Sequence, residues 1–249
     1  MKLTILGSGT CIPNAKRGSS GYLIQTSDSK ILLDCGSGTT WKLERLGINY
    51  LDIDHIFFSH LHPDHTGDLV PFLFATKYPG RQKRDKPLYI WGGKGLIKFF
   101  NNLKKAYGDW IVPEQLVIDE IKGGSESFQD FKIQTTRVPH TDSSLAYKIT
   151  SGDKVLVYSG DTDYSESLIN LASKCDLLII ECAFAKDDNK RNGHLTPSDV
   201  AKTINTAMPK KVVVTHFYPE CDEENVVETI RGNVDVEAIE AQDLLEVII

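Results

Sequence analysis

Residues 57–68 read FFSHLHPDHTGD, and within them His60, His62, Asp64 and His65 fall inside six consecutive positions. A lone histidine is ordinarily a hydrogen-bonded surface or core residue. Here three of the chain's seven histidines share one segment. Only His55, at the start of the apolar run HIFF, looks unremarkable. His60 and His62 are two apart, so at the end of a strand their side chains leave on the same side. Pro63 is expected to end that strand and preset a turn. Asp64 and His65 then swing back toward the same space, and Thr66-Gly67 opens a helix running to about Tyr78. Such a strand-to-helix loop is a rigid place to hold metal. Neutral imidazole suits zinc, and a carboxylate adds charge and can bridge.

Beyond this segment, three more apolar strands end in a residue of the same kind: TTRVPH in His140, KVLVYSGD in Asp161 and KKVVVTHF in His216. One such ending is weak evidence, because strands must end somewhere. Three in addition to the first cluster are hard to ascribe to chance. With His194 in NGHLTP, six of the seven histidines lie in these segments. The first third of the chain reads as strands and turns (KLTIL, GYLIQT, KILLDCG) followed by a helix in GTTWKLERLG. Later segments alternate helix and strand, and TPSDVAKTINTA carries helix-start chemistry in Thr196, Pro197 and Ser198. Strands in both halves with interspersed helices predict two packed sheets with helices outside, so ligands from both sheets can meet at one edge.

The whole chain sets further bounds. Its 249 residues suffice for an ample core, and 41% hydrophobic and 25% charged residues are ordinary for a globular protein. The formal charge of −6 argues mildly against a large nucleic-acid footprint. No apolar stretch is long enough to span a membrane, and MKLTILGSGT reads as a first strand and not as a signal peptide. Cys11, Cys35, Cys175, Cys182 and Cys221 are an odd set without C-x-x-C, most simply reduced thiols in a cytoplasmic protein. The glycines of GSGT and GSGTT do not form G-x-G-x-x-G and read as tight turns beneath the metal edge. The basic run KYPGRQKRDK reads as a solvated loop, with polyanion contact as the other reading.

HLHPDH with the later His140, Asp161 and His216 resembles the metallo-β-lactamase superfamily pattern H-x-H-x-D-H…H…D…H, over essentially the whole chain. LGSGTCIPNAKRGSS and LLDCGSGT are similar to the opening of its ribonuclease Z-like branch. The resemblance implies a single domain over 1–249: an αββα sandwich of two mixed β-sheets with helices on the outer faces. It implies that His60, His62 and His140 hold one metal, that Asp64, His65 and His216 hold another, and that Asp161 bridges them. Zinc is the expected ion, with manganese or iron as other occupants. Such a pair activates a bridging hydroxide for attack on phosphorus or a carbonyl carbon, with Asp64 both a ligand and a candidate proton acceptor.

GHLT resembles an H-S-T element of that branch, where a histidine steadies the phosphate and protonates the leaving group; His194 would do this here. Its other reading is a surface-loop histidine. Glu181 either orients His194 or is a solvated strand-end acid. Bacterial ribonuclease Z also carries a long Gly/Pro-rich arm that grips tRNA, and nothing between LYIWGGKG and FKIQTTRVPH matches it. THFYPECDEE likewise departs from the usual ending. The leading expectation is therefore a phosphodiesterase acting on a small or medium phosphodiester: a cyclic nucleotide, a cyclic phosphate or an RNA end. A lactonase or thioesterase on the same metals, a true tRNA 3′-processing endonuclease and a non-hydrolytic diiron or scaffold protein are the competing readings. Family resemblance also suggests a homodimer.

Overall fold

The computed structural model describes residues 1–191 and 193–249. Six strands form most of the first sheet: β1 (Lys2–Gly7), β2 (Gly21–Gln25), β3 (Lys30–Cys35), β4 (His55–Phe58), β5 (Leu88–Gly92) and β6 (Leu116–Glu120). The second sheet takes β7 (Gly124–Ser127), β8 (Lys132–Arg137), β9 (Leu145–Ser151), β10 (Lys154–Tyr158), β11 (Leu177–Glu181), β12 (Lys211–Thr215) and β13 (Glu237–Glu240). The last strand, β14 (Glu246–Ile248), returns to the first sheet beside β1, so each sheet has seven strands. Both sheets are mixed. β3, β4, β5 and β6 run parallel, as do β10, β11, β12 and β13, while the remaining pairs are antiparallel.

The strands read as apolar runs because both faces of each sheet are covered. In the first sheet the alternation of side chains sorts them. Leu3, Ile5, Tyr22, Ile24, Ile31, Leu33 and Phe57 face the second sheet, while Leu23, Leu32, Ile56 and Phe58 pack outward with Leu69, Phe72 and Leu73. Those last three lie on α3 (Leu69–Lys77), which with α1 (Thr39–Arg45) and α4 (Leu96–Tyr107) accompanies the first sheet. Helices α5 (Glu166–Ala172), α6 (Pro197–Ala207) and α7 (Val226–Arg231) cover the second. The protein is thus the expected metallo-β-lactamase-type sandwich. The start chemistry of α6 is a full capping box: Thr196 accepts from the Asp199 amide and Asp199 from the Thr196 amide, with Pro197 in the first turn.

Two local expectations change. Strand β4 stops at Phe58, so His60 and His62 lie beyond it and not at its last two outward positions. Pro63 also does not merely end a strand. It is the first residue of the one-turn helix α2 (Pro63–Thr66), where its missing N–H costs no hydrogen bond. The helix expected from about Gly67 to Tyr78 is α3, and α2 is an additional turn before it, set apart at Gly67-Asp68. Among the described residues no helix is long and apolar enough to cross a membrane. All five cysteines are free.

Candidate metal centre

Because β3 and β4 run parallel in one sheet and β10, β11 and β12 in the other, their C-terminal ends lie at common edges. β8 and β10 both pair antiparallel with β9 and so point the same way. The residues just past these ends converge. His60, His62, His140 and Asp161 form one group of ligand-type atoms lying within 4.8 Å of one another, and Asp64, His65 and His216 form a second. Asp161 sits between the groups. Its Oδ2 is 3.2 Å from His216 Nε2, 3.3 Å from His65 Nε2, 3.6 Å from His60 Nε2 and 3.8 Å from His140 Nε2.

Four of the five imidazoles, all but His62, are held by their other nitrogen. His65 Nδ1 is 2.7 Å from Asp34 Oδ2, His216 Nδ1 is 2.9 Å from Ser20 Oγ, and His140 Nδ1 is 2.8 Å from the Gly193 carbonyl oxygen. His60 Nδ1 lies 3.1 Å from Ser59 Oγ. A second hydrogen bond of this sort fixes ring orientation and tautomer and leaves the opposite nitrogen to bind. The fit to metal can be read directly. His60 Nε2, His65 Nε2 and Asp161 Oδ1 are buried without a hydrogen-bond partner, a costly arrangement unless a cation completes it. The donors are imidazole nitrogen and carboxylate oxygen, the set that takes divalent transition metals.

At Asp161 and His60 the electrostatics agree. Burial alone would raise the Asp161 carboxyl, but the surrounding His216, His65 and His60 hold it well below the usual carboxylate range. Burial, reinforced by His65, pushes His60 well below the ordinary histidine value, so it stays neutral and able to donate a lone pair.

Asp34 is the residue that sequence reasoning missed. It stands at the end of β3 with φ of 60°, wholly buried. It accepts from the Ser59 amide at 2.7 Å, Ser59 Oγ at 2.8 Å and Tyr158 OH at 2.6 Å besides its contact with His65. Ser20, Ser59 and the Gly193 carbonyl were missed as well. The glycine turns do lie beneath the metal edge. A Cβ on Gly36 would sit 2.2 Å from the Asp64 carbonyl oxygen, so only glycine lets that turn close under the ligand loop.

His194 lies at the rim of this centre. Its ligand-type nitrogen groups with Asp161 and His216, and its ring stacks on His216 at 5.8 Å with 14° between planes. Nδ1 is 2.8 Å from Glu181 Oε1, which leaves Nε2 free to act. Glu181 is buried and not a solvated strand-end acid. Its oxygens also accept from the amides of Thr162, Ala183 and Leu195. Burial would lower the His194 pKa, but the Glu181 hydrogen bond and charge raise it to about 9. Phe184 and Tyr218, stacked on each other, stand beside the His194 ring. Asn192, in the NGHLTP motif, lies outside the described residues.

The basic loop faces the other way. β5 runs parallel to β4 toward the metal edge, so the segment before Leu88 is at the opposite edge. There Arg84 donates to the carbonyls of Lys86, Leu51 and Pro87, and Lys86 to Asp54 and the Asp52 carbonyl.

Fold and site together define a metal-dependent hydrolase of the metallo-β-lactamase fold, related to ribonuclease Z. The chain belongs to the family described as Anti-Pycsar protein Apyc1, whose profile matches residues 1–236. It is 30% identical to the probable metallo-hydrolase YhfI of Bacillus subtilis over 227 residues, 87% of each chain. The YhfI crystal structure superposes with a TM-score of 0.86 at 26% identity, covering 99% of this chain and 98% of that one. Ribonuclease Z of the same organism is 27% identical over 306 positions, spanning 99% of this chain and 98% of the enzyme. That alignment is longer than this chain of 249 residues, so the enzyme carries segments with no counterpart here. The short form of human tRNase Z shares the fold, with a TM-score of 0.79 at 23% identity over 100% of this chain and 99% of that one.

Proposed function

We propose that this chain, acting as one domain over 1–249, is a phosphodiesterase for small or medium phosphodiesters. His60, His62 and His140 would hold one divalent ion and Asp64, His65 and His216 a second, with Asp161 shared between them. Zinc suits the donor set, with manganese or iron as substitutes. Two such ions supply a nucleophile from bound water near neutral pH and neutralise charge on the substrate oxygens. The chain's own residues do the rest. The Asp34, Ser20, Ser59 and Gly193 contacts hold His65, His216, His60 and His140 in one tautomer before substrate arrives. Asp64, at the solvent side of its group, is placed to accept a proton as well as to bind.

The observation that carries the phosphodiester reading is the His194–Glu181 pair. A carbonyl hydrolase on this site has no need of a cationic donor. A phosphodiester transition state places charge on its non-bridging and leaving oxygens, which a charge-assisted hydrogen bond from Nε2 stabilises. Relatives named ribonuclease Z support cleavage of phosphodiesters by this centre. Cyclic nucleotides, cyclic phosphates and RNA ends all offer the required group. The free thiols agree with a cytoplasmic setting, and we propose a homodimer, which sedimentation at micromolar concentration tests.

The deciding experiment is an activity panel on the metal-loaded enzyme: bis(p-nitrophenyl) phosphate, lactones, thioesters and 3′-extended tRNA. His194→Ala should retain both metals and lose about 10²–10⁴ in kcat on phosphodiesters. The loss should shrink when the leaving group is acidic enough to depart unprotonated. Unchanged kcat on poor and good leaving groups alike, with faster turnover of a lactone or thioester, would make the centre a carbonyl hydrolase.

A further inference from the structure

The ends of β5, β6 and β8 reach the same edge as the metal centre, since β4, β5 and β6 are parallel and β8 runs on into His140. Each of these ends carries a cation: Lys94 two residues after β5, Lys122 two residues after β6, and Arg137 as the last residue of β8. The three side chains line one cleft of about 490 Å³ between the two sheets. None of them forms an ion pair among the described residues, in contrast to Arg84 and Lys86 at the opposite edge, which are tied to carbonyls and carboxylates.

Two acids share the cleft, Glu120 and Asp142. Glu120 is already engaged: one of its oxygens accepts the amides of Gly95 and Ile97 at the start of α4, 2.8 and 3.1 Å away. In the wall, the buried hydroxyl of Thr135 lacks a hydrogen-bond partner. The cleft adjoins the depression that contains His140. Asp142, which lines it, lines the shallow depression around His140 as well, and two residues of chain reach at most about 7 Å.

Resting on the phosphodiesterase reading, we propose that this cleft is a second anion subsite. It holds a phosphate of the substrate other than the one being cleaved, through Lys94, Lys122 and Arg137. In a chain of net charge −6, three unpaired cations on the catalytic edge are a local attraction for polyanions. Their placement beside the reacting diester, and not around it, makes them a determinant of which diester binds. The second phosphate has two sources, the next nucleotide of an oligonucleotide or a terminal phosphate on a mononucleotide.

The test is a triple variant, Lys94→Ala with Lys122→Ala and Arg137→Ala, compared with the metal-loaded wild type on three substrates. The p-nitrophenyl ester of thymidine 5′-phosphate has no second phosphate. Its 3′-phosphorylated form adds a terminal one, and a short oligothymidylate adds one in the chain. The variant should leave kcat/KM on the first within about twofold, and lower it roughly tenfold or more on one or both of the others, mainly through KM. A loss confined to the 3′-phosphorylated ester identifies a terminal phosphate as the ligand, and one confined to the oligonucleotide a chain phosphate. The slope of log kcat/KM against log salt should flatten by about 0.7 for each phosphate contact removed from a single strand. The pair Arg81→Ser with Lys83→Ala, on the far edge, should change nothing.

Anisotropy of a labelled oligothymidylate, measured with chelator present, reads binding without catalysis. If the protein cleaves no diester but the triple variant still loses oligonucleotide binding, the subsite stands and the activity assignment falls. Equal effects on all three substrates, or none on the phosphate-bearing ones together with unchanged anisotropy, would overturn the subsite.

Discussion

At Asp34 a buried carboxylate gathers a backbone amide, a serine hydroxyl, a tyrosine hydroxyl and an imidazole, and nothing nearby in sequence announces them. Ser59 and Tyr158 reach it across 25 and 124 residues of chain. The ligand-type residues were legible because metal binding demands particular side chains at strand ends. The residues that orient them were not, because serine, tyrosine and a glycine carbonyl are ordinary everywhere. Asp34 was missed too, although it stands near the end of KILLDCG, the kind of place that picked out Asp161 in KVLVYSGD. His55 taught the opposite lesson. It looked unremarkable, yet it is buried within an aromatic cluster, its ring 5.1 Å from Tyr89, 4.7 Å from Phe128 and 5.2 Å from Phe131. Trp91 Nε1–H donates to its Nδ1 at 3.2 Å, which requires that nitrogen to be unprotonated. Burial lowers its pKa from 6.5 to about 4. On acidification the unfolded chain therefore takes up this proton first, so the folded state loses stability as pH falls from 6.5 toward 4. The loss should reach about 2 kcal/mol at pH 5. His55→Phe keeps the aromatic packing and has no proton to bind. Urea unfolding of both proteins at pH 7.5 and pH 5 should show the wild type losing that much more than the variant. Equal losses would mean that the folded histidine is protonated freely.

Among the elements, long apolar strands were readable because each is buried on both faces, and α6 because its cap chemistry is local. What escaped was the separate turn of α2 ahead of α3, since the cause of the break between them is tertiary. Gly67 packs against the turn after β3: a Cβ there would meet Ser37 Oγ at 2.4 Å and the Pro63 carbonyl oxygen at 2.8 Å. Asp68 does not cap its own helix. Its carboxylate accepts the amides of Gly38 and Thr40 at the start of α1, at 3.1 and 2.7 Å, so α1 receives from another segment the cap that Gly38 cannot supply. The loop bearing Asp64 and His65 is thereby fixed to α1 from below. Gly67→Ala should force α2 away from Ser37, with a cost of about 1–3 kcal/mol in stability. Because α2 carries Asp64 and His65, the same change should weaken metal uptake by that group, seen as a drop toward one ion per chain in elemental analysis after dialysis. A variant with unaltered melting temperature and full metal content would show that the turn has slack.

For the molecule as a whole, the question is how an edge-mounted centre selects its substrate. Of the ligand-type residues His62 is exposed while His60, His65, Asp161 and His216 are buried, so selection falls to what surrounds the exposed rim. In this chain the stretch from Gly93 to Phe131 is taken up by α4, a short 3₁₀ turn, β6 and β7, and the ribonuclease Z of B. subtilis aligns over more positions than this chain has residues. An arm that grips tRNA far from the scissile bond would need such extra length. The basic loop lies at the opposite edge, and two of its cations are engaged in holding Leu51, Asp52 and Asp54. On the phosphodiesterase reading proposed above, binding energy from a remote elbow of tRNA would not lower the barrier at the acceptor end. Precursor tRNA with a 3′ extension should be cleaved no better, in kcat/KM, than a short single-stranded oligonucleotide of the same 3′ sequence. The two rates, measured side by side at physiological salt with enzyme well below substrate, settle the matter. A precursor preferred by tenfold or more would mean that some other surface recognises the folded tRNA. Parity would mean that this chain reads only the nucleotides that reach the metal edge.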